Sequence, residues 1–111
     1  MRYCFDVDDT ILYSDLIDGD YILKGANKEL ISIINTLHKE GNTIIIHTGR
    51  HWNLLVLTKK QLDKHGVMYH SVVCGKPTAD YYIDDKGLTP EDFENEYKRK
   101  LQYNSQLLPT S

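Results

Sequence analysis

Short apolar runs alternate along this chain with stretches of helical periodicity. Tyr3–Val7 is an apolar run that stops at Asp8, Asp9 and Thr10, the pattern of a strand ending in a turn. Residues 11–25 mix turn formers with aliphatic side chains and predict a small hairpin or flap. Leu30, Ile33, Ile34 and Leu37 repeat at helical spacing, with Asn27 placed as N-cap and Gly41 just past the end. Thr43–His47 holds Ile44, Ile45 and Ile46 without alternation. A strand apolar on both faces predicts a parallel sheet covered on both sides. Residues 52–57 fit either loop or helix, whereas Thr58-Lys59-Lys60-Gln61 has capping-box spacing and predicts a helix starting there and ending before Gly66. Tyr69–Cys74 and Asp80–Ile83 predict two further strands. Thr89-Pro90-Glu91-Asp92 combines a cap, a proline at the first helical position and acids facing the helix dipole. Phe93, Tyr97 and Leu101 line one face of that helix, and 104–111 read as a flexible tail.

Strands alternating with helices over short connections predict an α/β fold: a doubly wound, mainly parallel sheet with helices on both faces. The length of 111 residues allows one domain, taken as 1–103 with the flap inside it. A net charge of -3 gives no global pull toward nucleic acid. No apolar run approaches the ~20 residues of a membrane span, so no membrane partner is expected. The N-terminal stretch meets Asp6 too early to read as a secretory signal, and Cys4 and Cys74 lie in apolar runs as buried thiols rather than a bridge. The expected setting is cytoplasmic.

Open α/β sheets bind ligands beyond the carboxyl ends of their strands. The residues predicted there are Asp6, Asp8, Asp9 and Thr10; then Thr48, Gly49 and Arg50; then Gly75, Lys76 and Pro77; then Asp84 and Asp85. Strand ends are polar in any case, which accounts for one or two of these groups but poorly for all. Crowded carboxylates repel and raise one another's pKa unless a cation sits among them. An oxygen-rich set without cysteine or histidine ligand spacing suits a hard ion, Mg²⁺, which keeps waters and takes phosphate oxygens as further ligands. Asp6 and Asp8, two residues apart, suit a division in which one carboxylate attacks and the other moves protons.

These residues resemble the motifs of the haloacid dehalogenase (HAD) superfamily of phosphohydrolases. The likeness runs through four motifs in the family's order: Asp6-Val7-Asp8-Asp9-Thr10, the strand Ile44–Thr48, Lys76, and Tyr82-Ile83-Asp84-Asp85. It implies a Rossmann-like core in which Asp6 attacks phosphorus and forms an aspartyl-phosphate. Asp8 then protonates the leaving oxygen and activates the hydrolytic water. Thr48 and Lys76 would contact the phosphoryl group, with Gly49 and Arg50 beside it. Mg²⁺ would be held by Asp6, the main-chain carbonyl of Asp8, and Asp84 assisted by Asp85. Asp9 stands where the family most often has Gly, and aspartate tolerates the backbone angles such a turn needs. One helix and a flap fill the span between Asp6 and Thr48, and a helix and a strand fill that between Thr48 and Lys76, leaving no room for a cap domain. The chain is similar to small capless phosphatases of capsule and surface-polysaccharide biosynthesis. The implied substrate is a phosphorylated small molecule, a sugar phosphate or a related biosynthetic intermediate. An open site leaves selection to the flap, to a neighbouring subunit of a homo-oligomer, or to the substrate itself.

Other readings stay open at this level. Nucleotidase-type phosphatases also fit the acidic Asp9 variant. A signalling receiver module uses acids, Thr and Lys on a similar sheet, but it carries its phosphorylated Asp on a middle strand, and Thr43–His47 has none. A non-catalytic phosphate-binding module on the same sheet is the third alternative. Arg50 reads equally as a grip for a substrate anion or as one half of a surface salt bridge. His47 and His51 read first as packing or solvent-facing residues and show no zinc spacing. Tyr13, Ser14 and Trp52 are candidates for the pocket mouth. Lys59-Lys60 and Lys98-Arg99-Lys100 read as solvated helix faces.

Overall fold

The computed structural model describes residues 1–74, 81–83 and 88–107, with the backbone alone for Cys74, Tyr82 and 102–107. Six strands and three α-helices follow in the order β1 (Arg2–Asp6), β2 (Leu12–Ile17), β3 (Asp20–Ala26), α1 (Lys28–Lys39), β4 (Thr43–Thr48), α2 (Leu55–Lys64), β5 (Ser71–Cys74), β6 (Tyr81–Ile83) and α3 (Pro90–Leu107). A 3₁₀ turn, Trp52–Leu54, leads into α2.

Four strands form one sheet in the order β5-β4-β1-β6, with every neighbouring pair parallel. The unalternating Ile44, Ile45 and Ile46 are all buried, as a central strand requires. Register sets Tyr3 against Ile44 and Phe5 against Ile46. These four side chains share a core with Leu30, Ile33, Ile34 and Leu37 of α1, Leu62 of α2 and Phe93 of α3. Phe93 packs edge-on against the rings of both Tyr3 and Phe5. Cys4 and Ile45, which alternate to the opposite face, are buried but stand outside that core.

The α/β class and the parallel sheet agree with the sequence reading, whereas a second helical layer is not among the described elements. The physical reason lies in the strand order. From β1 through α1 to β4, and through α2 to β5, the chain moves steadily in one direction. Right-handed crossovers taken in one direction leave their helices on the same face. Direction reverses only between β5 and β6, across residues outside the described set.

The element boundaries follow local chemistry. The Asn27 Oδ1 accepts from the Leu30 amide at 3.1 Å, and Gly41 adopts a φ of 93° just beyond α1. The Thr89 Oγ1 accepts from the Asp92 amide at 3.2 Å at the start of α3. That helix continues to Leu107, past the point where a tail was expected. Residues 11–25 hold the flap: β2 and β3 pair antiparallel around Asp18 (φ 51°) and Gly19 (φ 81°), a two-residue turn whose positive angles suit Asp-Gly. No described helix is long and apolar enough to cross a membrane. Cys4 is buried.

Candidate active site at the carboxyl edge of the sheet

Because the strands are parallel, their carboxyl ends share one edge. β1 ends at Asp6, paired with His47. β4 ends at Thr48, paired with Cys74 at the end of β5, and β6 ends at Ile83, paired with Phe5. The chain leaves β1 toward β4 on one side, while β6 lies on the other. β1 therefore stands at the topological switch point, where open α/β sheets leave a crevice for ligands. Asp6, Asp8, Thr48, Gly49 and Arg50 are all described here. Lys76, Asp84 and Asp85 lie outside the described residues.

A tight turn aims the residues after β1. The Val7 carbonyl accepts from the amides of Thr10, Ile11 and Leu12 at 3.3, 3.0 and 3.0 Å. Asp9 closes the turn with a φ of 60°, the left-handed region in which aspartate is tolerated better than most side chains. Asp6 Oδ1 accepts from the Val7 amide at 2.8 Å, and His47 Nδ1 lies 3.7 Å from the same oxygen. The side chain of Thr10 is fully buried, and its Oγ1 has no hydrogen-bond partner among the described residues.

Asp8 is held differently. Its Oδ2 accepts from Arg50 Nε at 3.0 Å and its Oδ1 from Arg50 Nη2 at 2.8 Å, a bidentate pair. The guanidinium is completely buried, while Asp8 keeps 32% of its side chain exposed. Arg50 Nη1 donates to Thr58 Oγ1 at 3.2 Å and to Gln61 Oε1 at 2.7 Å. Its Nη2 also reaches Ser14 Oγ at 3.4 Å, and its Cζ sits 4.1 Å above the Tyr21 ring centroid. Each of the five N–H donors of an arginine thus has an acceptor within the protein. The salt bridge read from the sequence is present, but it is buried rather than at the surface, because the guanidinium is enclosed by the hairpin and α2.

The seat of Arg50 also corrects the reading of α2. That helix begins at Leu55, and Thr58 and Gln61 lie buried within it rather than at its cap. Thr58 Oγ1 donates to the Leu54 carbonyl at 2.8 Å, and Gln61 Nε2 donates to the Tyr21 carbonyl at 3.0 Å. The spacing that mimics a capping box puts two polar side chains on one inward face, where the buried guanidinium needs acceptors.

Thr48 is buried, and its Oγ1 accepts from the Arg50 amide at 3.0 Å, which leaves its own O–H to donate toward a ligand. Gly49 has nothing within 4 Å of where a Cβ would stand. His51 caps the 3₁₀ turn, its Nδ1 accepting from the Asn53 amide at 3.3 Å. Trp52 is 72% exposed, and Tyr13 is also exposed.

Among the described residues, no group of three or more His, Cys, Asp or Glu side chains is arranged to hold a metal ion. The Asp6 carboxylate is a hard oxygen donor of the type Mg²⁺ takes. Each side-chain oxygen of Asp8 accepts one bond from Arg50, and the donor that the resemblance assigns to a metal is its main-chain carbonyl. This half-site fits the expected ion in donor chemistry, and the remaining expected ligands, Asp84 and Asp85, lie outside the described residues.

No family model and no curated protein matches the chain. A crystal structure of an MCSG target from Vibrio cholerae is similar over 95% of this chain and 99% of that one, with a TM-score of 0.59 and 24% sequence identity. At that identity the likeness shows the fold alone.

Proposed function

We propose that this chain is a magnesium-dependent phosphomonoester hydrolase of the haloacid dehalogenase type, built on a capless Rossmann-like core. Asp6 is its phosphate acceptor, and its substrate is a sugar phosphate or a related biosynthetic intermediate. The observation that carries this reading is the contrast between two carboxylates two residues apart at the switch point. Asp6 lies beside His47, whereas Asp8 sits in the fork of a buried arginine with one edge open. Two carboxylates two residues apart at this edge suit a division in which one attacks and the other moves protons.

In the first half-reaction an Asp6 oxygen attacks phosphorus as the bond to the leaving oxygen breaks, and Asp8 delivers a proton to that oxygen. In the second, Asp8 takes a proton from a water that attacks phosphorus, and Asp6 is released with inorganic phosphate. The Thr48 hydroxyl donates to a phosphoryl oxygen. Lys76 offsets the charge gathered there. Bound Mg²⁺ supplies charge neutralisation and alignment, the main demands of phosphoryl transfer. Asp6, the main-chain carbonyl of Asp8, and Asp84 with Asp85 would hold it.

The test is phosphate release from an aryl phosphate and a panel of sugar phosphates and nucleotides, with magnesium and again with a chelator. Turnover should require magnesium and fall to background in Asp6→Asn. Undiminished turnover in Asp6→Asn, or no turnover of any phosphomonoester by the unaltered chain, would sink the proposal.

A further inference from the structure

We propose that Arg50 is a positioning residue that aims Asp8 and, through the same buried guanidinium, latches the β2–β3 hairpin to α2. The inference deepens the reading above, and its kinetic part rests on that reading.

Arg50 gathers groups from four segments of the chain. Asp8 comes from the turn after β1, Ser14 from β2, Tyr21 from β3, and Thr58 and Gln61 from α2. The arginine itself is anchored at the end of β4 by its amide on Thr48 Oγ1. Both Asp8 oxygens accept from the guanidinium fork, so the carboxylate cannot rotate about its Cβ–Cγ bond without breaking a charge-assisted bond. Its open edge therefore keeps one direction.

Gln61 completes the latch. Its Oε1 accepts from Arg50 and its Nε2 donates to the Tyr21 carbonyl, so one amide ties α2 both to the guanidinium and to the hairpin backbone. The Tyr21 ring closes the stack from the hairpin side. Flap order and the aim of the proton carrier thus depend on the same side chain. A lysine in its place would keep the charge but lose the planar fork.

Two measurements test this, and only one needs catalysis. Hydrogen exchange on Arg50→Lys and on Gln61→Met should show protection across β2 and β3 lowered by at least about tenfold, with the β1–β4 ladder unchanged. In turnover, Arg50→Lys should lower kcat by about a hundredfold with KM nearly constant, the size of loss a misplaced group produces. In an Asp8→Asn background, Arg50→Lys should lower kcat no further, because the two residues act as one unit. Unchanged hairpin protection in both variants overturns the latch. Losses from Arg50→Lys and Asp8→Asn that multiply overturn the positioning role. Should the unaltered chain release no phosphate, the phosphatase reading fails, and hairpin exchange alone then decides whether Arg50 holds the flap.

Discussion

The turn after β1 concentrates the chemistry into a few residues, and each makes a separate demand on the backbone. Asp9 holds a φ of 60°, where a side chain is strained and glycine is not. Asp9→Gly should leave stability level or raise it by up to about 1 kcal/mol, and Asp9→Val should lower it by about 1–3 kcal/mol, both read from urea unfolding. Asp8→Asn should slow phosphate release while retaining magnesium binding by calorimetry, since the proposed metal donor at this position is the main-chain carbonyl, which the substitution keeps. Loss of magnesium binding in that variant would make the side chain a ligand. Several of these positions were legible in the sequence, because acids crowded at a strand end need a compensating charge. The identity of that charge for Asp8 was not legible. Arg50 offered two equal readings, and Thr58 with Gln61 matched a capping box, because spacing along a helix says which residues share a face and not what lies opposite.

At the scale of elements, the helices were legible where their ends carry chemistry. Asn27 caps α1 and Thr89 caps α3, both as read from the sequence. Asn27→Ala should lower stability by about 1 kcal/mol in chemical unfolding. α3 lies against α1 through Lys98 and Glu29, an exposed pair that contributes little. Glu94 on the same helix is a better probe. Burial pushes its carboxyl above the ordinary value of 4.5, with Glu29 and Glu91 adding to the shift and the hydrogen bond with Asn27 and the charge of Lys98 opposing it. The folded chain therefore holds this proton more tightly than the unfolded chain does. Its contribution is most favourable below pH 4.5 and is lost as pH rises through the raised value. Glu94→Gln should flatten stability against pH across that window and leave the rest of the profile in place. The hairpin was less legible than the helices: Asp18-Gly19 marks its turn, but β2 and β3 expose Leu16, Ile17 and Ile22, so no clean two-residue alternation announces them.

At the scale of the whole molecule, the class of the fold followed from alternating periodicities, while its winding did not. Ile44, Ile45 and Ile46 told that β4 is covered on both faces, but not by what. The crossover helices α1 and α2 share one face because β1, β4 and β5 follow one another in a single direction, a fact of strand order that no local pattern carries. The same order makes β1 the switch point, where open α/β sheets bind ligands. The central claim is that phosphate passes through Asp6. Its most direct test is to quench the magnesium-loaded chain during turnover of a phosphomonoester, reduce with borohydride and identify the modified residue by peptide mass spectrometry. An acyl phosphate on Asp6 would be reduced to homoserine at that position alone, and we expect that product, absent when substrate is withheld. Turnover with Asp6 recovered unmodified, or homoserine at a different aspartate, would contradict the account.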